Sequence, residues 1–178
     1  MNRYLIFALI LLISPNGKAM IVDNLENPDA REWAYFTDTV MGGVSTGQLQ
    51  YLDKDGEKFY RMTGIVSTEN NGGFIQFATR IKDITDDYDG IKIRVRGNNE
   101  NYQIHLRTRY TPAPWQYYSA EFAVENNWKE IVLPFSEFKK SNFYQTKAFS
   151  PSSLRSIGIV AVGKDFEAEI DLSRIELY

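Results

Sequence analysis

Ile91-Lys92-Ile93-Arg94-Val95-Arg96-Gly97-Asn98-Asn99-Glu100-Asn101-Tyr102-Gln103-Ile104-His105-Leu106-Arg107 alternates apolar and polar side chains on both sides of a turn cluster. Successive side chains of a strand leave opposite faces, so period two marks a half-buried strand on each side. Taking Gly97 to Glu100 as a four-residue loop predicts a hairpin in which Arg96 faces Asn101. Val95 then opposes Tyr102, Ile93 opposes Ile104 and Ile91 opposes Leu106, all on one face. A three-residue loop would set Ile93 against Gln103 and send one strand's apolar side chains to the wrong face, so the longer loop is expected. Lys92, Arg94 and Arg96 would share the other face with Gln103, His105, Arg107 and Arg109.

Working outward, the same alternation predicts strands over Gly47 to Leu52, Phe59 to Ser67, Phe74 to Arg80, Trp115 to Val124, Trp128 to Pro134, Ser156 to Val162 and Phe166 to Leu177. Turn clusters such as Asp53-Lys54-Asp55-Gly56 and Glu125-Asn126-Asn127 separate them. Many short strands at near-regular spacing predict an all-β fold, an antiparallel β-sandwich. Asp29 to Tyr35 is expected to form a short helical turn, and Ser136 to Ser153 is the one long irregular stretch. Within Trp115 to Val124, Tyr118, Ala120 and Phe122 form the core set. Trp115, Tyr117, Ser119 and Glu121 face outward and extend the basic surface with aromatic rings.

Met1 to Ala19 has the pattern of a secretory signal: Arg3, an apolar run from Tyr4 to Ile13, and the small-residue exit Gly17-Lys18-Ala19. The run is shorter than the roughly 18 residues that span a bilayer, so export to the periplasm or medium is expected, with residues 20–178 as a single domain and no stable membrane span in the mature chain. The net charge of −3 becomes two units more acidic once Arg3 and Lys18 are removed, which disfavours wholesale nucleic-acid binding. With no cysteine in 178 residues, thiol chemistry, disulfides and a lipobox anchor are not expected. A chain of this size buries enough surface to be stable without such staples.

Two glycine doublets stand out: Asp38-Thr39-Val40-Met41-Gly42-Gly43-Val44-Ser45 and Glu69-Asn70-Asn71-Gly72-Gly73-Phe74. A doublet permits positive φ or a close approach of another backbone, and Asp38, Thr39, Ser45 and Asn70 can bond the stray backbone groups. Two tight corners are expected, with no reaction attached. Gly43-Val44-Ser45-Thr46-Gly47 fits the G-x-S-x-G pattern, but a nucleophile elbow needs a helix after the serine, and Gln48 to Leu52 alternates like a strand. The sole histidine, His105, lies among arginines, which oppose its protonation. Glu69 is read as an acid that stabilises its turn, because no second patterned acid pairs with it. Asp83, Asp86, Asp87 and Asp89 resemble a calcium loop, yet Thr85 and Arg96 would fill the first and twelfth EF-hand positions. A solvated acidic turn is expected there, with a structural cation as the alternative. Trp128 and Phe135 are read as packing residues.

The basic and aromatic platform is the best ligand candidate. Guanidinium forks grip carboxylates, phosphates and vicinal hydroxyls, and Trp or Tyr faces stack on sugar rings or peptide side chains. A solvated face whose arginines pair with acids such as Glu121, or a face covered by the Ser136 to Ser153 segment, is the alternative.

The glycine-doublet segments, Gly64, Tyr88-Asp89-Gly90-Ile91, Arg94-Val95-Arg96-Gly97, Tyr102 with Leu106-Arg107, Trp115-Gln116-Tyr117, Trp128 with Leu133-Pro134-Phe135, Ile157-Gly158 and Phe166 to Ile175 stand in an order that resembles the complex I intermediate-associated protein family. That family is known for the thirty-kilodalton NADH:ubiquinone oxidoreductase assembly factor. The resemblance covers Trp33 to Leu177 and implies a galactose-binding-like jelly roll acting as a non-enzymatic, chaperone-like module. Its motif residues here are Asp38, Met41, Gly42, Gly43, Ser45, Glu69, Asn70, Gly72 and Gly73. The export-type start, in place of an Arg-rich transit peptide, implies a different client. Together these readings predict a protein-binding or assembly module that uses Arg94, Arg96, Arg107, Trp115 and Tyr117, with no catalytic residues, cofactor or metal. The alternative is an exported carbohydrate-binding module on the same face.

Overall fold

The computed structural model describes residues 18–178. The predicted signal segment lies outside them except for Lys18 and Ala19. The chain forms β1 (Met20–Asp23), β2 (Trp33–Thr37), β3 (Thr46–Lys54), β4 (Glu57–Val66), β5 (Phe74–Arg80), β6 (Gly90–Gly97), β7 (Asn101–Thr108), β8 (Tyr118–Ala123), β9 (Lys129–Pro134), β10 (Lys139–Lys140), β11 (Leu154–Val162) and β12 (Phe166–Leu177). The first sheet runs β3-β4-β12-β6-β9, with β1 also pairing with β12; the second runs β10-β8-β7-β11-β5-β2. All pairings are antiparallel, and the molecule is the expected all-β sandwich.

Alternation along each strand fills the space between the sheets. Met62 and Val66 of β4, Ile91, Ile93 and Val95 of β6, and Ile170, Leu172, Ile175 and Leu177 of β12 meet Ile75 and Phe77 of β5, Ile104 and Leu106 of β7, and Ile157 and Ile159 of β11. Each such side chain contributes about 1.5–3 kcal/mol by leaving water, so the inward set fixes which face of each strand is buried. The β3–β4 hairpin follows its turn chemistry: Lys54 pairs with Glu57 across Asp55 and Gly56, both at positive φ (55° and 78°).

The hairpin predicted around Gly97 to Glu100 does not form. β6 pairs with β12 and β9 in the first sheet, while β7 pairs with β8 and β11 in the second, so this segment is an arch crossing between sheets. The backbone groups of the arch bond other elements. Gly97 N–H donates to the Glu125 carbonyl (2.7 Å), Asn98 N–H to the Glu169 carbonyl (3.2 Å), and Val124 N–H to the Glu100 carbonyl (3.1 Å). Tyr102 Oη locks it, donating to Asn98 Oδ1 (2.8 Å) and accepting from Glu169 N–H (2.9 Å). Ile93 and Ile104 are both buried, as expected, but from opposite sheets.

The helical turn expected over Asp29 to Tyr35 is confined to the 3-10 turn Pro28–Ala30, which Asn27 caps; Trp33–Thr37 is a strand. Its aromatic side chains Trp33, Tyr35 and Phe36 and the β-branched Thr37 favour extended backbone, and Trp33 packs on Tyr60 and Phe77. Trp115 to Tyr117 belongs to a turn before β8, not to the strand. The Ser136 to Ser153 segment covers neither sheet face: its β10 pairs with the edge of β8, and Phe138 and Phe149 tuck into the core rim.

Candidate functional site

Asp38 shows what the glycine doublets are for. Its carboxylate is fully buried and accepts four hydrogen bonds: from Ser45 N–H (3.0 Å) at Oδ1, and from Ser45 Oγ (2.5 Å), Gly73 N–H (2.5 Å) and Phe74 N–H (3.2 Å) at Oδ2. The two doublets divide the work identically. Gly42 and Gly73 supply positive φ (91° and 122°), whereas a Cβ on Gly43 would collide with the Asp38 carboxyl carbon and one on Gly72 would lie 2.5 Å from Oδ2. Burial pushes the Asp38 pKa up, but the donors from Gly73, Ser45 and Phe74 outweigh it and hold the carboxyl below its ordinary range. Ser45 Oγ also accepts from Ser67 N–H at the end of β4 (3.0 Å), so the cage ties the first sheet to the start of β5 in the second. Burial, with the Asp38 charge adding, pushes the neighbouring Tyr35 phenol up to about 12. Of the motif residues, Asp38, Gly43, Ser45, Gly72 and Gly73 converge here, while Met41 and Glu69 point to solvent and Asn70 supplies a left-handed turn residue (φ 57°).

Because the arch separates β6 from β7, the five predicted ligand residues do not share one platform. Arg94 and Arg96 lie on the outer face of the first sheet; Arg107, Trp115 and Tyr117 belong to the second. On the first sheet the charges are matched. Asp171, buried at 1% exposure, takes a two-pronged bond from Arg61 (2.7 Å twice) and another from Arg96 Nε (2.7 Å). Arg94 grips Glu57 in the same manner (2.8 Å twice) and donates to Ser173 Oγ (2.8 Å). Lys92 and Arg174 share Glu176. Trp128 lies beneath this network, 4.6 Å from the guanidinium carbons of both Arg94 and Arg96 and edge-on to Phe59. The acids are Glu57 and Asp171, not Glu121, and Trp128 supports the arginines from the outer face, away from the sandwich core.

The outer face of the second sheet is built differently. Gly158 of β11 lies between His105 of β7 and Ala78 of β5, giving a low floor. Tyr117 stacks on His105 at 3.9 Å with the rings 12° apart, forming a flat wall beside it. His105 Nε2 bonds Gln103 Oε1 (3.0 Å), and burial pulls the imidazole down to about 4, so it is neutral near pH 7. Arg107 reaches sideways to the Ala113 carbonyl (2.8 Å) and holds the loop that presents Trp115. That loop is joined to the Ser136 to Ser153 segment, where Ser141 Oγ donates to the Trp115 carbonyl (2.7 Å) and Gln145 Nε2 to the Tyr117 carbonyl (3.0 Å). The joined loops leave Trp115, Phe143 and Tyr144 at 64%, 86% and 89% exposure. Phe143 and Tyr144 were missed from sequence; two adjacent aromatics in a segment without apolar periodicity were the available signal.

Ser45 is followed directly by β3 and its hydroxyl is held by Asp38, while His105 bonds Gln103, so no nucleophile elbow is present. In the acidic turn Asp86 accepts from Ser150 Oγ and Ser152 N–H, and Asp87 from Thr85 Oγ1 and Lys18. Among the described residues no three His, Cys, Asp or Glu side chains gather as metal ligands, and no helix is long and apolar enough to cross a membrane.

Comparison with solved structures gives the same architecture. The family 11 carbohydrate-binding module from Clostridium thermocellum, in complex with a β-1,3-1,4-mixed-linked tetrasaccharide, superposes with a TM-score of 0.72 at 14% identity, covering 89% of this chain and 94% of that one. The same family's module from the cellulosomal cellulase Lic26A-Cel5E gives 0.71 at 13% identity, over 90% and 94% of the two chains. A family 30 carbohydrate-binding module gives 0.51 at 14% identity, over 76% and 91%. At these identities the likeness is one of fold, a galactose-binding-like jelly roll. No curated protein matches the sequence. The Complex I intermediate-associated protein 30 (CIA30) family model matches residues 23–173, a span that includes the Asp38 cage, the whole of β2 to β11 and most of β12. The chain therefore belongs to the complex I intermediate-associated protein 30 family.

Proposed function

We propose that this chain is a non-enzymatic binding module that holds a protein partner on the second sheet and its joined loops, in the manner of an assembly factor. The observation that carries the reading is the contrast in exposure: Trp115, Phe143 and Tyr144 stand in solvent on loops fixed by Ser141, Gln145 and Arg107. Large aromatic side chains held out on a rigid support cost little entropy on binding and are the usual anchors of protein interfaces. Family membership favours the same reading. The proposed setting is the periplasm or the medium, from the signal-like Met1 to Ala19 pattern.

Photo-crosslinking tests it. With the reactive group at Phe143 or Trp115, one envelope protein is expected to be captured repeatedly, and the same group at Arg94 captures none. Equal capture from both sheets, or none from either, removes the reading.

A second reading is favoured by the Tyr117–His105 wall over the Gly158 floor and by the carbohydrate-binding modules that share the fold. A flat aromatic plane beside small residues suits a sugar ring. Sugar binding on a glycan array that disappears in Trp115→Ala would promote it over the protein-partner reading.

A further inference from the structure

At the Arg107 end of the second sheet, a depression of about 450 Å3 is lined by Arg80, Lys82, Arg107 and Arg155, with Ser156 and Thr111 at its floor. Topology assembles it. Ser156 of β11 is the register partner of both Arg80 on β5 and Arg107 on β7, so a small side chain sits between two guanidinium-bearing strands. None of the four bases lies within ion-pair distance of a carboxylate among the described residues. Arg107 is held by the neutral Ala113 carbonyl (2.8 Å), Arg155 by the Leu154 carbonyl (2.7 Å), and the Arg80 carbonyl itself accepts from Arg31 (2.7 Å). Asp86, the acid bonded to Ser150 and Ser152 at this end, keeps its charge but lies beyond ion-pair distance of all four bases. Four like charges around one hollow repel each other, and a chain that neutralises its other sheet so fully leaves this cluster unmatched.

The geometry points to an anion seat that receives an acidic stretch of the protein partner, with two or more Asp or Glu side chains entering between Arg80, Lys82, Arg107 and Arg155. This rests on the protein-partner reading above. A protein segment is favoured because the seat adjoins the loop carrying exposed Tyr110 and Trp115, and Arg, Trp and Tyr together are the composition of protein-interface anchor sites. Guanidinium forks then take carboxylates bidentately.

The test titrates the mature chain with a peptide of alternating Asp and Glu, an equal-length Asn and Gln peptide, and an oligogalacturonate of equal charge. The acidic peptide is expected to bind, to weaken as salt rises, and to lose about tenfold in affinity in the Arg80→Gln/Arg155→Gln double variant, while Arg94→Gln leaves it unchanged. Unchanged thermal melting of the double variant verifies its folding. Equal binding of acidic and neutral peptides, no binding of either, retention in the double variant, or tighter binding of the uronate overturns the seat. Crosslinking from Trp115 is read in parallel. A partner still captured by the double variant at undiminished yield sinks the acidic seat and leaves the partner reading intact, whereas no capture by the native chain sinks that reading itself.

Discussion

The two outer faces of this sandwich carry similar numbers of arginines and handle them in opposite ways. On the first sheet Asp171, Glu57 and Glu176 each sit opposite the bases that need them, and Trp128 with Phe59 removes water from one side. On the second, Arg107 and Arg155 bond only neutral backbone carbonyls, Arg80 and Lys82 have no ion-pair partner among the described residues, and Tyr110 and Trp115 stand exposed beside them. A matched, half-buried network stabilises the fold and has little left to offer a ligand. An unmatched one contributes little to the fold and keeps its interactions for something else. Residue type alone does not mark a binding arginine; the partner already in place does.

The contrast can be broken most severely at its first-sheet centre. Asp171→Asn leaves Arg61 and Arg96 without their shared carboxylate and is expected to cost about 3–5 kcal/mol in urea unfolding. A loss under about 1 kcal/mol would mean the first face is as idle as an ordinary surface. The corner joining the sheets comes next. Asp38→Asn presents an amide to the Gly73 and Ser45 donors, and about 2–3 kcal/mol should be lost by the same measurement. In the native chain the depressed Asp38 carboxyl contributes stability that is present above the ordinary carboxylate range and disappears as pH falls through its folded value. Glu57, lowered mainly by its bond from Arg94, adds in the same direction. Stability against acid below about pH 4 should therefore be less steep in Asp38→Asn.

His105 gives a smaller effect on the second sheet. Its folded value of about 4 lies below the unfolded 6.5, so the unfolded chain binds more protons in that window and stability rises with pH across it. His105→Gln should flatten the slope of unfolding free energy between pH 5 and 6.5, roughly the part of the window in which carboxylates do not titrate. Smallest of all, Trp115→Ala and Arg155→Gln should leave stability within about 0.5 kcal/mol of the native chain, because neither side chain supports the core. A larger loss would place them in the structure's framework and remove the contrast.

Much of the fold was legible in the chain. Phe74–Arg80 and Phe166–Leu177 run where their alternation ends, and Tyr118, Ala120 and Phe122 are buried as their period requires. Strand β2 was hidden because Pro28 and Asp29 suggest a helical start just before it. The candidate site was legible in pieces. Trp115 and Tyr117 could be read as outward-facing, but Arg80 and Arg155 are brought to Arg107 only by β11 inserting between β5 and β7. The reach of Asp38 to the second glycine doublet, 35 residues away at Gly73, likewise spans a distance along the chain that no local pattern encodes.

For strands such as Phe74–Arg80 and Tyr118–Ala123 the sequence by itself determined which side is buried, because alternation with period two is a property of the backbone and the hydrophobic effect needs no knowledge of neighbours. Only the tertiary structure decided whether Gly97 to Glu100 is a hairpin or an arch. Both bury Ile93 and Ile104, so the burial free energy that the pattern expresses is nearly the same. They differ in which strands share hydrogen bonds, and in the arch the bonds of Gly97, Asn98 and Tyr102 to residues far along the chain send Arg94 and Arg107 to opposite sides of the molecule.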